Sequence, residues 1–142
     1  MIQEKNSNVI DNLVQYLLEN ELAFCGAPLA STKFKLLRHN LKNSYLSVLP
    51  EIYWEFLTKI NGVFLDGTEI YGLAPEIKLI KDVEQINKTI NNSQIIFLGE
   101  NETDWFCYDV DAEEFQVLDK TDQFIWKHSD SLESVLAYFL KL

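Results

Sequence analysis

The sequence predicts a single α+β domain over residues 1–142: a mostly antiparallel sheet of about five to six strands, packed with N-terminal helices and a C-terminal helix. Three observations carry this expectation. Apolar residues recur at helical spacing from Val9 to Ile60, the repeat becomes that of short strands after Gly62, and helical spacing returns from Leu132. The chain is also about one domain long, at 142 residues. With 47% hydrophobic, 13% aromatic and 24% charged residues, it falls outside the disordered and low-complexity classes.

Taken in order, Val9, Ile10, Leu13, Val14 and Leu17 share one face of a helix starting near Asn8. Residues 23–31, with Gly26 and Pro28, read as a breaker, and a weaker helix follows through Phe34, Leu37 and Leu41. Residues 1–40 are thus an N-terminal helical region. The clearest helix begins at Pro50, where a fixed φ and a missing N–H suit the first helical position. Ile52, Tyr53, Phe56, Leu57 and Ile60 form its apolar face, and Asn61-Gly62 ends it because glycine accepts a left-handed conformation.

Beyond Gly62, residues 63–65 and 68–73 flank Asp66-Gly67, a type I′ hairpin signal. Asp82 with Gln85 opens a short helix striped by Val83, Ile86 and Ile90. Strands follow at 94–98, 105–110, 115–119 and 124–126. Asp130 and Glu133, spaced as a capping box, start the last helix, whose face is Leu132, Val135, Leu136, Phe139 and Leu140.

Charge excludes whole classes of partner. Against 22 Asp and Glu stand 12 Lys and Arg, a net charge of −10. Affinity for nucleic-acid phosphates comes from Lys and Arg, so no nucleic-acid partner is expected. Anionic membrane surfaces are excluded on the same ground. No apolar run is long enough to span a bilayer, and no basic head precedes an apolar stretch at the N-terminus. A cytoplasmic, reducing location is expected.

Little in the sequence favours catalysis. Cys107 lies among Trp105, Phe106 and Tyr108, where a thiol is usually a small buried hydrophobe. Cys25 lies in the breaker, and no local signature joins either cysteine to His39 or His128. The spacing of these four residues suits no zinc site, and the five isolated glycines build no phosphate loop. No metal and no cofactor are expected. An enzyme using Cys25 or Cys107 is the remote alternative.

The acids are unevenly spread. Glu100, Glu102, Asp104, Asp109, Asp111, Glu113, Glu114, Asp119 and Asp122 crowd one stretch with Lys120 the only base among them. Most fall in turns between expected strands. Polar turns explain them blandly. Asp109-x-Asp111-x-Glu113 resembles the start of a calcium loop but lacks the glycine and late glutamate such a loop needs. The third reading is a docking surface for a basic protein, since clustered like charge speeds association and selects partners. Trp54, Trp105 and Trp126 weigh similarly between core and contact residue. Trp105, beside the acidic turn, is the preferred contact. The candidate partner-binding residues are therefore Glu100, Glu102, Asp104, Trp105, Asp109, Asp111, Glu113 and Glu114.

The order of the pieces adds a resemblance. Leu49-Pro50, Tyr53, Phe56-Leu57 and Asn61-Gly62 lead into Ile70-Tyr71-Gly72-Leu73; then come Ile95-Ile96-Phe97-Leu98-Gly99, Trp105-Phe106-Cys107-Tyr108-Asp109 and Phe115-Gln116-Val117-Leu118-Asp119 before the final helix. Over 41–142 this resembles the SUKH superfamily, first named from a yeast cell-wall and glucan-synthesis regulator. The Leu-Pro helix ending in Asn-Gly is its most specific part. Tyr45-Leu46-Ser47 stands where the family often has a glycine, and the 100–104 loop is poorer in Gly and Asp than is usual.

The resemblance implies a non-enzymatic α+β binding module. Bacterial members are typically immunity proteins that neutralise toxins, commonly nucleases. A nuclease is basic where it holds phosphate, so an acidic protein can meet that surface as a phosphate mimic. The expected function is binding and neutralising a basic toxin domain; the alternative is a regulatory scaffold of cell-wall or glucan synthesis.

Overall fold

Seven strands, rather than five or six, form one antiparallel sheet in which sequence order is spatial order, β1 to β7. The computed structural model describes residues 2–142, without the side chains of 2–9 and Tyr45. The helices are α1 (Ile2–Glu19), α2 (Ser31–Asn40), α3 (Glu51–Lys59), α4 (Val83–Ile90) and α5 (Leu132–Leu140). The strands are β1 (Ala23–Cys25), β2 (Val63–Leu65), β3 (Thr68–Ile70), β4 (Ile95–Glu100), β5 (Asp104–Asp109), β6 (Glu114–Asp119) and β7 (Ile125–Ser129). A single 3-10 turn, Tyr45–Val48, precedes α3.

The additional strand is β1, within the stretch read as a breaker. Its three residues are too few to show a period, and pairing with β2 makes it a strand: Ala23 faces Leu65 and Cys25 faces Val63. The β2–β3 hairpin turns as expected, with positive φ at both Asp66 and Gly67. The first helix begins at Ile2 rather than near Asn8, and two other helix starts differ by one residue from the expectation. Pro50 is the N-cap of α3 rather than its first helical residue. Ser131, not Asp130, caps α5, its side chain accepting from the Ser134 N–H.

Most of the core lies on one face of the sheet, although Phe97, Cys107 and Leu118 are buried on the other. α1 contributes Ile10, Leu13, Val14 and Leu17, all buried, while the Val9 side chain lies outside the described residues. α5 contributes Leu132, Val135, Leu136, Phe139 and Leu140. Phe106 of β5 stacks between Phe115 of β6 and Phe139 of α5, at centroid distances of 6.1 and 5.5 Å. Tyr53 of α3 meets Phe115 from the helix side at 6.3 Å. Trp54 is also core: it is 2% exposed, donates to the Leu49 carbonyl, and lies under Arg38 of α2. One apolar cluster joins residues from Ile10 to Leu140.

Two buried asparagines join elements that strand pairing leaves incomplete. The Asn61 side chain accepts from the Leu73 N–H at 2.7 Å and donates to the Leu73 carbonyl at 3.0 Å. Its backbone N–H donates to Gly26, whose Cβ, if present, would lie 1.9 Å from the Asn61 oxygen. Asn87 of α4 does the same for β4, donating to the Phe97 carbonyl and accepting from its N–H, both at 2.8 Å. Along β4, β3 pairs only with Gly99 and Glu100, so without Asn87 the outer groups of Phe97 would lack a partner. Hence the buried positions of α4 are Val83 and Asn87, and Ile90 is exposed.

Candidate functional site

Cross-strand register decides which side chains share the sheet's other face, because directly opposed residues lie on one side. One row crosses all seven strands: Phe24, Phe64, Glu69, Glu100, Trp105, Leu118 and Ile125. Its neighbours Phe106 and Val117 point to the helices, so the row faces away from them. Phe24 and Ile125 at its ends are exposed, and its centre holds two carboxylates on adjacent strands.

That pair would repel without compensation. Glu100 accepts hydrogen bonds from Lys81 Nζ at 2.7 Å, Lys120 Nζ at 2.9 Å and the Tyr71 hydroxyl at 2.9 Å. Burial alone would raise its pKa, but these donors outweigh it and hold the carboxyl down to about 2. Burial pushes Glu69 upward, although the Lys81 N–H donates to it at 2.6 Å. Lys120 also lies 4.6 Å above the Trp105 ring, which meets Phe97 edge-on. The candidate contact Trp105 is therefore half-buried, with one face already occupied by an ammonium.

The acidic stretch does not gather into one patch. The β4–β5 and β6–β7 turns place Glu100, Glu102, Asp104, Asp119 and Asp122 at one end of the sheet, where Asp104 faces Asp119. The β5–β6 turn places Asp109, Asp111, Glu113 and Glu114 at the other. The length of β5 separates the two groups by roughly 17 Å.

Within each end some acids serve the turns. Asp119 accepts from the Thr121 N–H at 2.7 Å, Asp122 from Phe124 at 2.9 Å, and buried Asp109 from Ala112 at 3.0 Å. Glu114 lies 3.1 Å from His128 Nδ1. Among the described residues Glu102, Asp111, Glu113 and Asp130 have exposed carboxylates with no hydrogen-bond or ion-pair partner. Among the described residues, too, no three His, Cys, Asp or Glu side chains converge as a metal site.

At the first of these ends, beside Asp119 and Asp122, lie three exposed apolar side chains, of which Trp126 is weighed from sequence as a contact but Trp105 preferred. Phe124, Ile125 and Trp126, at the start of edge strand β7, are 56%, 44% and 51% exposed, and Phe124 meets Trp126 edge-on at 4.8 Å. Trp126 is thus the most exposed of the three tryptophans, and aromatic anchors dominate the energy of protein contacts. The available signal was three consecutive large apolar residues where a half-buried strand should alternate.

Both cysteines bond to backbone carbonyls. Cys25 Sγ donates to the Leu17 carbonyl at 3.6 Å and Cys107 Sγ to the Gln116 carbonyl at 3.7 Å. Burial pushes both thiols up, away from the reactive thiolate. Cys107 and His128 face opposite sides of Gln116 in one cross-strand row, two strand spacings or roughly 10 Å apart.

A sequential antiparallel meander with helices against one face, an Asn-Gly crosslink after the Leu-Pro helix and an acid-flanked aromatic edge defines an α+β module of one recognisable class. The family model SUKH_6, described as SMI1-KNR4 cell-wall, matches residues 39–136, more than half of the chain, and the chain belongs to this family within the SUKH superfamily. No curated protein and no solved structure matches it. No helix among the described residues is long and apolar enough to cross a membrane.

Proposed function

We propose that this chain is a non-enzymatic protein-binding module of the immunity type, which binds and neutralises a basic, nuclease-type toxin domain in the cytoplasm. One observation carries the reading: exposed Phe124, Ile125 and Trp126 open the edge strand beside one group of carboxylates, with the second group at the strand's far end. Exposed aromatic area supplies contact energy once desolvated, and the flanking charges steer and orient a basic partner. On this reading Glu102, Asp104 and Asp122 form one acidic arm, and Asp111, Glu113 and Glu114 the other. Working without catalysis agrees with two thiols raised by burial and with a Cys107 kept apart from His128.

The family description, SMI1-KNR4 cell-wall, favours a second reading: a scaffold in cell-wall or glucan synthesis that uses the same surface. Co-expression with a basic effector encoded beside the gene separates the two. Immunity predicts survival of the effector-producing cell and a complex whose affinity falls as salt rises. Envelope defects on gene deletion, with no protection from the effector, support the scaffold instead.

A further inference from the structure

β7 ends the sheet: it pairs with β6 on one side and with no strand among the described residues on the other. Its outer side therefore presents unpaired N–H and C=O groups, a template for another strand. Sheet edges are normally blunted by short length, proline or charge. The opposite edge, β1, is three residues long, whereas β7 has five, with no proline and one lysine, Lys127. A bulge at the start of β7 shifts the register between Val117 and Leu118, where Trp126 has no direct partner.

We propose that β7 receives an extended, basic segment of the partner protein as an added outer strand. This deepens the proposed function by naming its mode of contact, and it rests on that reading. Charge selects the occupant. Asp119 and Asp122 precede β7, while Asp130 follows it and Glu114 lies beside His128 near its end. A second copy of this chain could pair with β7 antiparallel or parallel, and either arrangement sets carboxylates against carboxylates. A segment with lysine or arginine at its ends meets opposite charge at both.

The pleat assigns the contacts along the strand. Ile125 and His128 lie on the face away from the helices, in register with Leu118 and Gln116; Lys127 and Ser129 lie in register with Val117 and Phe115 on the other. An apolar side chain of the incoming strand would cover Ile125, and the exposed Phe124–Trp126 pair lies beside the strand's start.

The test uses the whole protein and a short capped peptide of alternating lysine and valine. Two further peptides carry N-methyl groups on alternate residues, in opposite registers, so that charge and side chains stay the same while one edge or the other loses its N–H donors. Strand addition predicts that the parent peptide binds and slows exchange of outward amides within Ile125–Ser129 by about tenfold or more. One methylated register then weakens binding by about tenfold or more, and the other leaves it unchanged. Equal binding of all three peptides, without protection in β7, overturns strand addition and leaves the acidic-surface reading standing. Failure of every cationic peptide to bind at low salt overturns both.

Discussion

The Asn61 amide satisfies the N–H and C=O of Leu73 in a site only 4% exposed, so Asn61→Ala leaves two buried backbone groups unpaired. The expected loss is about 2–4 kcal/mol of unfolding free energy, readable in urea titration. Glu100 gives a second single-residue prediction, with its sign set by the folded pKa of about 2 against 4.5 for an ordinary glutamate. A depressed folded value means stabilisation complete above 4.5 and lost as pH falls toward 2. Glu69, raised by burial, acts in the opposite sense and restores part of that loss. Glu100→Gln should therefore cost about 1–2 kcal/mol near neutral pH, allowing for solvent screening, and flatten the stability profile below pH 4.5. Acid unfolding curves of the two proteins check this; parallel curves contradict it.

At the scale of elements, the Asn87 amide joins α4 to β4 beside the buried Val83. Asn87→Leu keeps the branched shape but leaves the Phe97 N–H and C=O without their partner, and about 2–3 kcal/mol should be lost despite greater hydrophobicity. Faster amide exchange at Phe97 would locate the effect; an unchanged protein would show that packing alone docks α4. These same elements explain how far the sequence could be read. The apolar faces of α1, α3 and α5 and the Asp66-Gly67 turn were legible, because helical spacing and turn chemistry are local signals. β1 was not, since three residues carry no period and only their pairing with β2 makes them a strand. Asn87 was invisible too: a buried polar residue on a helix face reads as surface until its strand partner is known.

For the molecule as a whole, the net charge of −10 becomes meaningful only through topology. A run of acids continuous in sequence is divided by an antiparallel meander into two ends roughly 17 Å apart, because alternate turns lie at opposite ends of the strands. Nothing local in the sequence encodes that division. Nor could sequence rank the tryptophans, since exposure depends on what packs against each: Arg38 over Trp54, Lys120 over Trp105, and Phe124 beside Trp126. Two acidic arms predict that charge reversal at either end, Glu102→Lys with Asp122→Lys or Asp111→Lys with Glu113→Lys, slows association with a basic effector and flattens its salt dependence. Stopped-flow rates at two ionic strengths measure this. A reversal that leaves both the rate and its salt dependence unchanged removes that arm from the contact.

The most direct measurement is the affinity of Trp126→Ala for the basic effector encoded beside the gene, taken with its unfolding midpoint. Because Trp126 is half exposed, stability should stay within about 1 kcal/mol of the parent, while affinity falls at least about tenfold, as for an aromatic anchor. Full affinity in a folded Trp126→Ala protein would contradict placing the partner on β7.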